Sequence, residues 1–288
     1  MKGYEATVDN AAAVRLDAIG LVEVDGPDAL TFLQSLVSQD LDGMAIGESR
    51  HSLLLEPQGK LVADFMVSRV ADEVYWLRCE SEVAPKLAAG LARFKIRVKV
   101  DIRDRSGELD AIAVRGPNAA NALVEIAADI TRVDMTRPGW SGFDLIGPPA
   151  ALDCVNLGEV TTADVEAFEV ARIESRVARQ PADIDDRTIA QEAFLHETAV
   201  SFTKGCFVGQ ELVCRIDSRG RVNRTLRRVR FAETVTVGAE IEYEGKVIGT
   251  VTSAAVSPRL GPIALATLRR ECESGAAVSA AGTPGTVD

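Results

Sequence analysis

The chain has 288 residues, which suffices for two or three domains, and its net charge of −11 argues against nucleic acid as a direct partner. No apolar run reaches the roughly 18 residues that a membrane-spanning helix requires, and the first residues lack the basic start and apolar core of a secretory signal. These features predict a cytoplasmic protein without membrane partners.

The cysteines do not suggest a metal site. The chain has five of them, no C-x-x-C pair and only two histidines. A structural zinc site or a cysteine-ligated cluster needs about four ligands at short spacings. The sequence therefore predicts no resident metal, and a cytoplasmic location disfavours disulfides.

Two similar strand–turn–helix units occur in the first half of the chain. Alternating apolar residues over 12–24 predict strands, and Gly26-Pro27 leads into apolar residues at helical spacing. Residues 111–114 and Gly116-Pro117 repeat this pattern. The second helix is predicted to include Ala120, Leu123, Val124 and Ile126. The repetition indicates two related α+β modules, although two ordinary strand-to-helix turns would give the same pattern.

The remaining elements are predicted from periodicity and turn residues. In chain order they are a β-meander over 52–79, a helix over 82–93, strands over 96–102 and 143–146, a helix over 161–177, a loop from 180 to 187, and short strands with glycine turns over 226–269. The short strands indicate a small β-barrel or sandwich module. The tail 274–288 is rich in Ala, Gly, Ser, Thr and Pro and is predicted to be disordered.

The segment Lys204-Gly205-Cys206-Phe207-Val208-Gly209-Gln210-Glu211 is the most specific in the chain. Its glycines permit backbone conformations closed to other residues and would let the loop approach a ligand. Nearby cations and a helix beginning after Gly209 would favour the Cys206 thiolate, which makes Cys206 a candidate nucleophile or redox centre and Lys204 the residue that depresses its pKa. The alternative is a small buried hydrophobe.

A basic stripe begins at the same loop. Residues 204–230 hold eight basic and two acidic side chains, so this stripe carries +6 on an acidic protein. Such a stripe suggests an anionic ligand, although a solvated helix and strand face would look the same.

The octapeptide resembles the signature K-G-C-[FY]-x-G-Q-E of the YgfZ family, the folate-binding relatives of the glycine-cleavage T-protein. Further similar segments are 26–34, 58–64, Arg172-Ile173-Glu174, 189–193 and 248–261. The resemblance implies an α+β fold of three domains around a central channel. The implied domains are 1–45 with 155–225, 46–154, and a barrel over 226–273.

The resemblance also implies a ligand, tetrahydrofolate or a one-carbon derivative, with or without a polyglutamate tail. Glu174 could hydrogen-bond the pterin, or form a surface pair on its helix. Asp64 aligns with the second acid of the T-protein's Asp-Asp pair, while Ala63 replaces the first; Asp64 could face the channel or simply cap a strand. The remaining residues implied to bind the cofactor are Gly205, Gly209, Gln210, Glu211 and Arg215, the last through the folate's glutamate tail.

Three functions follow from the resemblance. The first is support for assembly or repair of iron–sulfur enzymes, with iron–sulfur client or assembly proteins as partners. The second is a true aminomethyltransferase, which Ala63 and Cys206 disfavour. The third is a non-catalytic folate-binding scaffold. Arg176 and Pro181 stand where the family pattern has glycine, and both could reshape the loop near the pterin.

Overall fold

The computed structural model describes residues 1–122 and 124–288, without the side chain of Arg219. The α-helices are α1 (Tyr4–Asp9), α2 (Ala29–Leu36), α3 (Ala84–Ala92), α4 (Pro149–Leu152), α5 (Val165–Glu174), α6 (His196–Ala199) and α7 (Gln210–Arg219), with 3-10 turns at Ala119–Asn121 and Ala190–Ala193. The strands are β1 (Ala12–Leu16), β2 (Gly20–Asp25), β3 (Ser49–Leu55), β4 (Leu61–Ala71), β5 (Val74–Cys79), β6 (Asp101–Asp104), β7 (Asp110–Arg115), β8 (Thr131–Asp134), β9 (Gly142–Gly147), β10 (Thr161–Thr162), β11 (Arg224–Phe231), β12 (Glu240–Tyr243), β13 (Lys246–Ser257), β14 (Gly261–Arg269), β15 (Ala277–Ala280) and β16 (Thr283–Val287). Within the described ranges, no helix is long and apolar enough to cross a membrane.

The first sheet has the strand order β3-β4-β5-β2-β6. Its meander β3–β4–β5 is the predicted one, because the turn residues at 57–60 and 71–73 separate three antiparallel, apolar-rich strands. Helices α2 and α3 cover one face and bury Phe32, Leu33, Leu87 and Leu91 against it. The predicted strand 96–102 is displaced toward the C-terminus, since β6 occupies 101–104.

The second sheet has the order β10-β1-β7-β9-β8 and repeats the turn chemistry of the first. β2 and β7 each lie between two antiparallel partners and end at a Gly-Pro turn. Gly26 and Gly116 both adopt positive φ, 129° and 136°, and a β-carbon on either would lie within 2.5 Å of a backbone oxygen. The Gly-Pro repetition therefore reflects two similarly built modules.

The helix predicted after Gly116 is mostly absent from the described chain. A 3-10 turn covers only Ala119–Asn121, and Val124 and Ile126 lie in irregular structure. Leu123, which belonged to that prediction, lies outside the described residues. The short turn buries Ala119 alone, so this segment lacks the apolar stripe that holds α2 on its sheet.

The two sheets pack face to face. Leu21 and Trp76 from the first sheet meet Ala111, Val133 and Ile146 from the second. The predicted domain boundary at residue 45/46 divides the first sheet, because β2 precedes it and pairs with β5 and β6, which follow it. Each sheet thus draws one strand from the first 25 residues.

The C-terminal strands form the predicted closed barrel, in the order β11-β14-β13-β12-β15-β16. The prediction of a disordered tail is wrong, because residues 277–287 form the hairpin β15–β16, and β16 closes the barrel against β11. Val278, Ala280 and Val287 point into the barrel core. Residues 277–287 therefore form two strands despite their loop-like composition, because their side chains alternate between the barrel core and the outside.

Candidate functional site

A cavity of about 190 Å³, here called the central cavity, lies where the two sheets meet α5. Trp140 and Phe168 form an edge-to-face pair at its wall, with ring centroids 6.0 Å apart. Its charged lining comprises Asp64, Arg78, Glu80, Arg115, Arg137, Glu169, Arg172 and Arg179. Aromatic rings beside carboxylates and guanidinium groups suit a flat heteroaromatic ligand that carries N–H donors and acidic groups.

Asp64 reaches this cavity because of the strand register. In the β3–β4 ladder Leu53 pairs with Asp64 and His51 pairs with Met66, so His51 and Asp64 are diagonal neighbours on one face. The opposite face of β4 carries Phe65 into the core beneath α2 and α3. The Asp64 side chain is 4% exposed and lines the central cavity, while its role in a folate channel stays a prediction.

Both oxygens of Asp64 are engaged. The Oδ1 atom lies 2.5 Å from Nε2 of His51, and the Oδ2 atom accepts a 2.9 Å hydrogen bond from Nη1 of Arg137. Burial would raise the pKa of Asp64, but the charge of Arg137 and the bonds from His51 and Arg137 outweigh it and hold that pKa well below its usual range. Asp64 is therefore a fixed anion.

A second buried acid joins the sheets behind the cavity. Asp144 is fully buried and accepts hydrogen bonds from Arg78 of the first sheet at 3.0 Å and from Arg115 of the second at 2.7 Å. On the α5 side, Arg172 pairs with Glu169 and with Asp183. The arginines that surround the cavity are thus held in place by carboxylates.

Glu174 lies in a different cavity from Asp64. This cavity, of about 370 Å³, shares Trp140 with the central cavity. The Glu174 Oε1 atom accepts hydrogen bonds from the Tyr4 hydroxyl at 2.6 Å and from Ser257. Burial and the bond to Glu174 raise the pKa of Tyr4 to about 12, so Tyr4 remains a donor. The two acids implied to bind folate therefore line different cavities, which share Trp140.

The backbone is unusual at Arg176 and at Pro181, the two positions where the family pattern has glycine. Arg176 adopts φ of 60°, a left-handed conformation in which glycine is the least strained residue. Its side chain is exposed. Pro181 follows a cis peptide bond after Gln180, whose side chain bonds the main chain at Asp64 and Val62. Arginine at 176 thus occupies a backbone position suited to glycine, beside the segment that lines the central cavity.

The cysteine loop, residues 204–211, contains both buried and exposed residues. Lys204 and Phe207 are buried, whereas Gly205 and Cys206 between them are exposed. The Lys204 ammonium donates to the carbonyls of Gln34, Val37 and Gln39 at 2.7–2.8 Å, and burial lowers its pKa to about 8. Its three N–H donors are thereby taken by the C-terminal end of α2 and the residues after it. Lys204 therefore anchors the loop, and this geometry does not support its predicted action on the Cys206 thiol.

The other predicted ligand residues follow Cys206. Gly209, with φ of 82°, precedes the first residue of α7, as the sequence indicated. Gln210 is half-buried, and Glu211 and Arg215 are exposed. In the described part of the chain neither Gly205 nor these residues line the two cavities. The structure therefore does not bring them together with Asp64 or Glu174.

The basic stripe is divided among several partners. Arg228 and Arg230 bind the carboxylate of Asp288 at 2.8 and 2.7 Å. Arg227 lies over the Phe194 ring, and Arg224 lines a groove of about 700 Å³ between the loop after Pro181 and the barrel. These four described arginines therefore do not form one continuous anion site.

A chain of hydrogen bonds connects the central cavity with the cysteine loop. From His51, Nδ1 lies 2.9 Å from the Thr198 hydroxyl, and the Thr198 carbonyl accepts from the Gln39 amide at 2.8 Å. The Gln39 carbonyl in turn accepts from Lys204. No sequence pattern pointed to His51, Arg137 or Trp140, because their partners are set by register and by a turn from the second sheet.

Comparison with known proteins places this geometry in a family. Residues 2–147, half of the chain, match the family described as the GCVT N-terminal domain. The chain belongs to this family. Its relatives include an aminomethyltransferase of Rippkaea orientalis, 26% identical over 91% of this chain and 81% of the relative, and an uncharacterized protein of Haemophilus influenzae, 27% identical over 84% of this chain and 83% of the relative.

The fold has a close counterpart among solved structures. Aminomethyltransferase T of the glycine cleavage system from Bartonella henselae superposes with a TM-score of 0.84 at 23% identity, covering 99% of this chain and 86% of that one. The predicted fold class, a T-protein-like α+β fold with a C-terminal barrel, is confirmed.

Proposed function

We propose that this chain binds tetrahydrofolate or a one-carbon derivative in the central cavity and supports the assembly or repair of iron–sulfur enzymes. The observation that carries the folate proposal is the buried, ionised Asp64 facing a cavity walled by Trp140 and Phe168. Ring nitrogens and amino groups of a pterin are donors that such a carboxylate accepts.

The cavity volume limits what fits inside. About 190 Å³ lies below the 300–1,000 Å³ of pockets that enclose drug-sized ligands. One ring system is therefore held inside, and the remainder of the cofactor extends outward. When bound, the cofactor would supply one-carbon or reducing chemistry; the chain's own residues would orient it and exclude water.

Support for iron–sulfur enzymes rests on the resemblance of the cysteine loop to the YgfZ signature. The exposed Cys206, held between the buried Lys204 and Phe207, is consistent with an accessible reactive thiol. An aminomethyltransferase activity is the second candidate, because a relative of that name matches 91% of the chain. One observation weighs against it: Ala63 stands where the T-protein's pair has its first acid.

Calorimetric titration with tetrahydrofolate tests the binding site. We expect one site per chain, and Trp140→Ala should weaken binding at least tenfold, since aromatic contacts to a ring contribute about 1–3 kcal/mol. The matched control is Phe202→Ala, which changes an exposed residue just before the cysteine loop and should bind like wild type. Absence of binding, or an unchanged affinity in Trp140→Ala, would refute the placement.

Two activity measurements separate the candidates. In a strain that lacks the protein, Cys206→Ala should fail to restore iron–sulfur enzyme activity although it binds tetrahydrofolate normally. Full restoration would refute the cysteine-centred function. Robust formation of methylene-tetrahydrofolate from an aminomethylated carrier protein would instead favour the aminomethyltransferase.

A further inference from the structure

His51 is a buried histidine with both ring nitrogens in contact with a specific partner. Its side chain is 5% exposed, Nε2 lies 2.5 Å from the Asp64 carboxylate, and Nδ1 lies 2.9 Å from the Thr198 hydroxyl. The charged groups that face this cluster are Asp64 and Arg137. Thr198 lies on α6, whose main chain is tied to Gln39.

The partners determine the tautomer. An ionised carboxylate can only accept, so the Nε2 atom must carry the proton that bonds Asp64. Burial and the charge of Arg137 lower the pKa of His51 against the attraction of Asp64, so the ring is neutral. Nδ1 then has a free lone pair and accepts from the Thr198 hydroxyl. Asp64 thus accepts from Nε2–H of His51, and Nδ1 of His51 accepts from the Thr198 hydroxyl.

We infer that His51 is a positioning residue: Asp64 selects its Nε2–H tautomer, Thr198 orients the ring through Nδ1, and the ring in turn fixes the Asp64 carboxylate toward a ligand in the central cavity. Arg137 holds the second oxygen from the other side of the cavity. The two donors leave the carboxylate one orientation. This inference rests on the proposed folate site and adds a residue that contacts no ligand itself.

Nitrogen NMR of the two histidine rings tests the hydrogen bonds of His51 independently of any ligand. The chain has one other histidine, the half-buried His196, which serves as the internal reference. We expect protonated Nε2 and unprotonated Nδ1 at His51 at pH 7, and protonation of Nδ1 only at a lower pH than in a free histidine, whose pKa is about 6.5. The Thr198→Val variant should keep the Nε2 proton, which Asp64 requires, but lose the hydrogen bond at Nδ1 and shift the resonance of that nitrogen. A proton on Nδ1 of wild type at pH 7, or an Nδ1 resonance that Thr198→Val leaves unchanged, would overturn the inference.

Tetrahydrofolate affinity supplies the second readout. His51→Leu removes the donor to Asp64 and should weaken binding about tenfold or more. His51→Gln, whose amide nitrogen can replace Nε2, should restore most of the loss, whereas a purely space-filling role would be served better by Leu. His196→Leu is the control and should bind within twofold of wild type.

The two proposals fail in different ways. If wild type binds tetrahydrofolate and His51→Leu binds equally well, the role of His51 is refuted and the folate site stands. If wild type does not bind, the folate site is refuted, and the positioning role with it.

Discussion

Gly209 lies directly against Gly59, where the β3–β4 turn meets the start of α7. A β-carbon on Gly209 would lie 3.2 Å from the Gly59 Cα and 2.7 Å from the Glu56 carbonyl oxygen. Conversely, a β-carbon on Gly59 would lie 2.7 Å from Cβ of Leu212. The two segments that resemble the YgfZ pattern, around Gly59 and around Cys206, are therefore packed together through glycine.

This contact predicts that replacing Gly209 lowers the free energy of unfolding more than replacing Gly205, the other glycine of the cysteine loop. Gly209→Ala places a side chain at φ of 82° and against the Glu56 carbonyl, so we expect a loss of about 1–3 kcal/mol in the free energy of unfolding. Gly205→Ala, whose β-carbon would meet no atom within 4 Å, should change it by less than about 0.5 kcal/mol. Urea unfolding measures both, and equal losses would contradict the packing.

Asp144 should be the most costly acid to remove from the sheet interface. Asp144→Ala leaves the buried guanidinium groups of Arg78 and Arg115 without their counter-charge, and we expect a loss of about 3–5 kcal/mol. Asp153→Ala breaks an exposed pair with Arg15 and should cost about 0–1 kcal/mol. Urea unfolding compares the two variants, and a loss below 1 kcal/mol for Asp144→Ala would be inconsistent with a buried triad.

The neutral His51 makes stability depend on pH. Its pKa is lower in the folded than in the unfolded chain, so below about pH 6.5 the unfolded chain takes up a proton that the folded chain does not. Stability should therefore fall as the pH drops from 7 to 5. His51→Gln should reduce this slope by up to about 1.4 kcal/mol per pH unit, while His196→Gln serves as the control. Identical slopes for wild type and His51→Gln would show that His51 titrates alike in both states.

Closure of the barrel by the C-terminal hairpin can be tested with neighbouring residues. Val287→Asp places a charge in the barrel core and should lower the melting temperature by at least 8 °C, corresponding to about 3 kcal/mol or more. Thr286→Asp, on the exposed side of the same strand, should shift it by less than about 2 °C. Circular dichroism follows both transitions. Equal, small shifts would contradict the closed barrel.

The sequence predicted most of the elements and missed what depends on tertiary register. The meander, α7 and the four barrel strands follow from local periodicity and turn residues. The prediction of a disordered tail was wrong, because the alternating pattern of residues 277–287 is made largely of small residues, which also suit loops. Lys204 was assigned to Cys206 by proximity in sequence, but its long side chain reaches carbonyls about 170 positions away.

The candidate site was predictable only in part. Asp64 was identified through the resemblance, and the structure places it in a cavity. His51 and Arg137 could not be found, because neither shows a local pattern and each meets Asp64 only after the sheets have formed. Glu174 and Asp64 were both implied to bind the folate, yet they line different cavities, which share Trp140.

The division of β1 and β2 between the two sheets has a consequence for folding kinetics. Ala12–Leu16 pairs with residues 111–115, and Gly20–Asp25 pairs with residues 74–79 and 101–104. Each pairing closes a loop of tens of residues, and such non-local contacts slow folding. Neither sheet is complete without this short segment, so the two sheets should unfold in one cooperative transition.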